Sequence, residues 1–222
     1  MAFLRQDHLL QDGPANMAVD ESLLFAAGQV PVCRVYGWSE SAVTFGYFQS
    51  HDEICDAFPG RALTRRWTGG GAVEHGGAGE CTYSLAVPAT HSFARLRPLE
   101  SYCLLHAEIS AALCDVGIEA VLYKRKLPYL GQACFQHPVL GDVVLSSGQK
   151  VAGAAQRRTR QGLLIQGSIQ FLHEKEVPSR FPDILSRRFS TSLVPIPEVD
   201  ASGIADLARM KYGHEEWLHR VP

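Results

Sequence analysis

DVVLSSGQKVAGAAQRRTRQGLLIQGSIQF (142–171) decides the fold. DVVLS reads as a strand, Ser147-Gly148 as a tight turn, and KVAGAAQRR (150–158) as the returning strand of a hairpin. GLLIQGSIQF (162–171) then reads as a third strand. Strands this close in sequence pair antiparallel, because a parallel pair needs a crossover of about a dozen residues or more.

Working outward, VCRVYGW (32–38), AVTFGYF (42–48), LTRRW (63–67) and CTYSLAV (81–87) are rich in β-branched and aromatic residues and read as strands. An edge-like strand is expected at 119–123. Residues 15–27 read as a helix, with Val19, Leu23 and Ala26 near helical spacing and Gly28 past the end. The clearest helix is PLESYCLLHAEISAALCDV (98–116), with Pro98 at its first position and Gly117 as its stop. Leu99, Tyr102, Leu105 or His106, Ile109 and Leu113 are expected on its buried face. Strands come in adjacent groups with few helices between them, which predicts an α+β fold of mixed, largely antiparallel sheets. No shift in composition marks a linker, so residues 1–222 read as one domain with a helical tail from about 172, notably at 201–219.

The chain is 46% hydrophobic and 20% charged, enough for a full core without metal or disulfide support. A formal net charge of −2 argues against a general nucleic-acid binder. The opening MAFLRQDHLLQDGPANM is interrupted by Asp7 and Asp12 and lacks the apolar core of a signal peptide. No run approaches the roughly 18 apolar residues of a membrane span. A cytoplasmic protein is therefore expected. Cysteines 33, 55, 81, 103, 114 and 134 form no CxxC pair and match no zinc pattern. They read as reduced thiols, most of them in the core.

Three stretches carry chemistry. In RRWTGGGAVEHGG (65–77), three consecutive glycines after a strand let backbone pass close to a ligand with its N–H groups turned inward. Neither the dinucleotide fingerprint nor the P-loop pattern is present. A plain glycine turn is the alternative, set against the charged flanks Arg65, Arg66 and His75. In the hairpin, Lys150 leads a strand whose Ala152, Gly153, Ala154 and Ala155 leave room for its ammonium to reach a carbonyl or phosphate. A solvated surface lysine is the alternative there. Arg157, Arg158 and Arg160 read as a solvated face or a contact for an acidic partner. In GQACFQHP (131–138), Cys134 falls in a loop, unlike the other cysteines, which fall in predicted strands and helices. A loop thiol near Lys150 suits a low-pKa nucleophile, with His137 as a candidate base.

NMAVDESLL (16–24), TFGYFQ (44–49), RRWTGGGAVEH (65–75), TYSL (82–85), CF (134–135) and GQKVAGAAQRRTRQGLLIQGSI (148–169) follow one another in an order that resembles the lipoate–protein ligase and octanoyltransferase superfamily. That superfamily is related in fold to biotin–protein ligases, and the likeness covers roughly residues 10–175. The Cys-Phe pair ahead of the lysine strand looks like the branch that uses a cysteine nucleophile, although that branch tends to have histidine at the position of Gln166. The resemblance implies catalytic roles for Cys134 and Lys150. It implies substrate-binding roles for Arg66, Thr68, Gly69, Gly70, Gly71, His75, Tyr83, Ser84, Gly153 and Ala155. It further implies an octanoyl or lipoyl group taken from acyl carrier protein and passed through a cysteine thioester to a carrier lysine. That lysine belongs to a lipoyl domain of 2-oxoacid dehydrogenases or to the glycine cleavage H protein. No cofactor or metal is then expected. The alternatives are an ATP-dependent lipoate–protein ligase, using ATP and magnesium through an acyl-adenylate, and a non-catalytic acyl- or carrier-binding relative. The Lys124–Arg125–Lys126 and Arg157–Arg160 clusters are expected to steer acidic carriers.

Overall fold

The computed structural model describes residues 2–125, 135, 137–171, 178–189 and 199–220, with side chains from Leu10 onward. Its strands are β1 (Ala2–Gln11), β2 (Val32–Trp38), β3 (Ala42–Phe45), β4 (Ala62–Arg65), β5 (Val73–His75), β6 (Glu80–Pro88), β7 (Ala120–Leu122), β8 (Val143–Leu145), β9 (Lys150–Arg158) and β10 (Gly162–Gln170). Its helices are α1 (Gly13–Ala26), α2 (His51–Ala57), α3 (Ser92–Arg95), α4 (Pro98–Asp115), α5 (Phe181–Phe189), α6 (Ala201–Leu207) and α7 (Glu215–Leu218), with a π-helical turn at Ala208–Tyr212.

The hairpin reading places the centre of the large sheet. β9 and β10 pair antiparallel from Leu163 opposite Arg158 to Ile169 opposite Ala152. They sit inside a seven-stranded sheet ordered β1-β2-β6-β10-β9-β8-β7. Only its β1–β2 pair is parallel. A second sheet, β4-β3-β5, joins β3 to β4 in parallel and to β5 antiparallel.

Period-two alternation sends each strand's side chains to two cores. Leu163, Ile165 and Ile169 of β10 join Tyr83, Leu85 and Val87 of β6 under Leu105, Ile109 and Leu113 of α4. Leu164 and Ala86 face the other way, onto Val19, Leu23 and Leu24 of α1. Burial on both faces explains the unbroken apolar run of GLLI, each such side chain contributing about 1.5–3 kcal/mol. Both long helices are capped by their sequences. Asp12 Oδ1 accepts from Ala15 N at 2.9 Å, and Glu100 Oε2 accepts from Arg97 N at 3.0 Å.

Several expectations are corrected. The strand expected at 42–48 stops at Phe45, because the next residues turn and Gly46 N donates to Gln49 Oε1 at 2.9 Å. Leu99 is exposed in the first turn of α4; Leu105, His106, Ile109 and Leu113 are buried as expected, with Ser101 and Ala112 beside them. The short helices expected over 201–219 are present as α6, the π-helical turn and α7, with a break near Gly213, where the His214 side chain accepts from Glu216 N and starts α7. Of the five described cysteines only Cys33 and Cys81 are buried, while Cys55 and Cys114 are exposed. The tail is fixed to the body by long-range contacts. Lys211 Nζ and Tyr212 Oη both reach Glu21 Oε2 of α1, at 2.6 and 2.5 Å. Among the described residues, no helix is long and apolar enough to cross a membrane.

Candidate active site

The glycine loop leaves β4 over the inner face of β9. Arg66 N donates to Phe45 O, and the buried guanidinium turns back into the loop, donating to Gly69 O at 3.0 Å and Gly71 O at 2.8 Å. Two close approaches require glycine here. A Cβ on Gly46 would lie 2.0 Å from Gly70 O, and Gly70 itself has φ +84° with the Ala155 methyl 3.1 Å from where its own Cβ would be. Arg66 thus holds the loop's shape through its own carbonyls.

The second wall is a polar chain with a definite direction. Arg66 donates to Thr44 Oγ1 at 2.8 Å, leaving the Thr44 hydroxyl proton for His75 Nε2 at 2.7 Å. His75 Nδ1–H then donates to Glu80 Oε1 at 2.5 Å, and the imidazole stacks on Trp38 with centroids 3.9 Å apart. This tautomer is assigned from the network. Glu80 also accepts from Thr82 and Ser168, each at 2.9 Å. Burial pushes its carboxyl up, but His75 and these hydroxyls outweigh burial and hold it below the usual range. With both ring nitrogens engaged, His75 is a shaped wall rather than a free base.

Between these walls lies a narrow, partly open cavity. Its apolar lining includes Met17, Tyr36, Trp38 and Val73; Gly70, Gly153, Ala154, Ala155 and Gly167 leave it open, and Thr44, Arg66, His75 and Gln166 supply polar atoms. That mixture of an apolar lining and a few convergent polar groups suits a small, mostly apolar ligand.

Lys150 reaches this wall through a break in its strand. Val143 pairs with Ala152, but Val144 pairs with Lys150, so β9 carries one extra residue at Val151. Val151 and Ala152 therefore both enter the α4 core, and Lys150 turns toward the Gly153 side. A Cβ on Gly153 would lie 2.5 Å from Lys150 Cε and 2.6 Å from Nζ. The ammonium occupies the space that glycine leaves. It is buried, which replaces the solvated-lysine alternative, and it pairs with Asp142 Oδ2 at 2.8 Å. The Phe135 ring lies 5.1 Å from Nζ.

Asp142 is fully buried and orients the ammonium through further bonds. It accepts from Tyr102 Oη at 2.5 Å and Val139 N at 2.7 Å. Tyr102 in turn accepts from Ala154 N at 3.1 Å. Burial, then the Asp142 charge, pushes the Tyr102 hydroxyl well above its usual range, so it stays a neutral donor. His106 packs edge-on to Tyr102, donates Nδ1–H to Gly141 O at 2.8 Å and accepts from Tyr83 Oη at 3.0 Å. Burial pushes its imidazole down to about 4, against the opposing pull of Asp142 and the Gly141 carbonyl.

A third cluster ties α1 to the glycine loop. Asp20 Oδ1 accepts from Arg34 at 2.7 Å and Ser84 at 2.6 Å, while Oδ2 accepts from Tyr36 at 3.0 Å and Gln166 Nε2 at 2.8 Å. Gln166 Oε1 then accepts from Thr68 Oγ1 at 2.8 Å. Where the resembling branch tends to have histidine, a glutamine amide here donates to the helix and accepts from the loop.

Of the residues expected at the site, Arg66, Gly70, His75, Gly153 and Ala155 line the cavity. Gly69 and Gly71 carry the carbonyls that Arg66 holds, Thr68 sits behind the wall on Gln166, and Lys150 reaches it beside Gly153. Two placements differ from expectation. Tyr83 points to the opposite face of β6, into the α4 core, and Ser84 is held by Asp20. Neither lines the cavity. Cys134 and Lys126 lie outside the described residues. Sequence reasoning missed Asp142, Asp20, Trp38 and Tyr36. A charged residue on an apolar helix face (Asp20) and an aspartate across a hairpin from its lysine (Asp142) were the available signals.

The sequence model of the lipoyl protein ligase A/B catalytic domain matches residues 12–211. The chain belongs to that family. It is 35% identical over 171 residues to the octanoyltransferase LipM of Carboxydothermus hydrogenoformans, covering 73% of this chain and 62% of the relative. It is 31% identical over 212 residues to LipM of Kyrpidia tusciae, covering 86% and 76%. The chain spans about three-fifths of the length of the first of these relatives. In fold it is similar to protein Ta0514 from T. acidophilum with bound lipoic acid, at a TM-score of 0.73 and 20% identity over the whole of both chains. The mixed, largely antiparallel architecture is that of the family.

Proposed function

We propose that this chain is an octanoyltransferase of protein lipoylation, taking the acyl group from an acyl carrier protein and delivering it to a lysine of a lipoyl domain or H protein. The observation that carries the reading is the buried Lys150 ammonium, held by Asp142 at a glycine gap in the wall of a mostly apolar cavity. A compact cation fixed there suits the developing negative charge of a thioester carbonyl under attack. The LipM relatives, matched over most of this chain, support transfer from a thioester rather than activation by ATP.

In this mechanism the Cys134 thiolate attacks the carrier thioester carbonyl. The new C–S bond forms, the carrier's sulfur leaves and takes up a proton, and an acyl-enzyme of similar energy results. Lys150 lowers the cost of the Cys134 thiolate and of the oxyanion. The amine of the target lysine then attacks, loses a proton, and expels the Cys134 thiolate as the amide forms. Arg66, Thr68, His75 and the loop 69–71 shape the space, with Gly153 and Ala155 keeping it open. Each acyl methylene buried there contributes about 0.8 kcal/mol. Lys124, Arg125 and Arg160 are exposed and steer acidic carriers, whereas Arg158 is committed to Ala94 O and Ser101 Oγ. The test is transfer to H protein from octanoyl carrier protein with no ATP or magnesium. Strict dependence on ATP with free acid, and no transfer from the thioester, would assign the chain to the adenylate-forming ligases instead.

A further inference from the structure

Away from the cavity, the tail folds down beside α2 and brings together four side chains that the acyl chemistry does not use. Arg65, fully buried, donates to Leu218 O at 3.1 and 2.8 Å, and Trp217 Nε1 donates to Arg65 O at 2.9 Å. These bonds fix the end of α7 against β4 and set the His219 ring beside His51, the first residue of α2. The two imidazoles lie with centroids 3.9 Å apart at 51°. His51 is mostly covered, its side chain 14% exposed and its ring against Phe45.

Each imidazole also has its own carboxylate. Asp52 Oδ1 is 3.3 Å from His51 Nδ1, and Glu215 Oε2 is 2.9 Å from His219 Nε2. One ligand atom each from His51, Asp52 and His219 lie within 4.8 Å of one another. We propose that His51, Asp52 and His219, with Glu215 as a further donor, form a binding site for a zinc-class divalent cation that clamps the tail to α2. Zn–N and Zn–O bonds of about 2.0–2.2 Å place tetrahedral ligand atoms roughly 3.3–3.6 Å apart, so atoms at the 4.8 Å limit close by up to about 1.5 Å. Asp52, with its side chain 89% exposed, and Glu215, at 81%, rotate freely enough to supply that movement. Imidazole with carboxylate suits zinc and its late first-row neighbours rather than magnesium or calcium. The clamp would brace the loop between β3 and α2, whose Tyr47 N donates to Thr68 O of the glycine loop at 2.9 Å. It is independent of Lys150 and of any acyl transfer.

The test is zinc binding to the full chain after chelator treatment, by calorimetry and by thermal unfolding with and without zinc chloride. One equivalent should bind and raise Tm. His51→Ala and His219→Gln should each weaken binding at least tenfold and remove the Tm increase. Cys55→Ser, which removes the exposed thiol one turn along α2, should change neither. His219 is half exposed, so its glutamine variant should stay folded by circular dichroism even if His51→Ala does not. Binding that survives in His219→Gln, binding lost in Cys55→Ser, or no saturable binding to the wild type would each overturn the proposal.

Discussion

Replacing Asp142 by asparagine removes one charge and almost no volume, which isolates what its carboxylate does. The two oxygens accept from three donors: Lys150 Nζ, Tyr102 Oη and Val139 N. An amide offers one acceptor oxygen and turns an NH2 toward donors, and the Lys150 ammonium loses its counter-charge while still buried. Breaking a buried pair on one side costs about 3–5 kcal/mol. Against a total stability of about 5–15 kcal/mol, Asp142→Asn should fold but be weakened, with Tm lower by about 6–20 °C at 2–4 °C per kcal/mol. Lys150→Met should cost less, about 1–3 kcal/mol, because Tyr102 and Val139 still satisfy the carboxylate. The double variant removes both charges together, so it should be more stable than the sum of the single losses by at least about 1 kcal/mol. Urea unfolding followed by far-UV circular dichroism, at near-neutral pH, measures the cycle. Losses that add to within about 0.5 kcal/mol, or an Asp142→Asn cost below about 1 kcal/mol, would refute the claim that this carboxylate holds the ammonium.

Lys150→Ala and Lys150→Arg should both abolish acyl transfer while the protein stays folded, since the Gly153 gap admits a compact ammonium and not a planar fork; near wild-type turnover in either, measured on an H-protein acceptor, would remove Lys150 from the mechanism. Gly153→Ala puts a methyl 2.5 Å from Lys150 Cε and 2.6 Å from Nζ and displaces the ammonium from Asp142, so turnover should fall at least tenfold and Tm should drop, by less than in Asp142→Asn. Acid should destabilise the fold through His106: its folded value of about 4 lies below the unfolded 6.5, so the unfolded chain binds more protons between those values. Unfolding free energy should therefore drop by about 3 kcal/mol as pH falls from 6.5 to 4, and His106→Gln should flatten that segment in pH-dependent urea titrations.

Much of the fold is legible because it is local. β2 falls where the β-branched and aromatic run 32–38 predicts it, and the 142–171 segment yields both hairpin strands and β10. α4 begins at Pro98 and ends before Gly117, as its caps require. Strand β1 is hidden because its pairing with β2 is parallel and long-range, with no hairpin turn to announce it. β5 is three residues long inside a glycine-rich segment, too short for a period to show. At the site, Lys150 is readable from the small residues after it, but its burial depends on the Val151 bulge, which no local pattern announces. His75 reads as a functional group beside the glycines. Its ring nitrogens are in fact absorbed by Thr44 and Glu80, contacts 31 and 5 residues away. Tyr83 is a misreading of face: one step along β6 separates the cavity wall at Thr82 from the α4 core.

The proposed function requires covalent transfer through Cys134. Intact-mass measurement of the protein after incubation with octanoyl carrier protein alone tests it most directly. One octanoyl mass should appear on the wild-type chain, be released by hydroxylamine as a thioester is, and be absent from Cys134→Ser. Transfer to H protein at the wild-type rate by Cys134→Ser, with no octanoyl adduct on either protein, would contradict it.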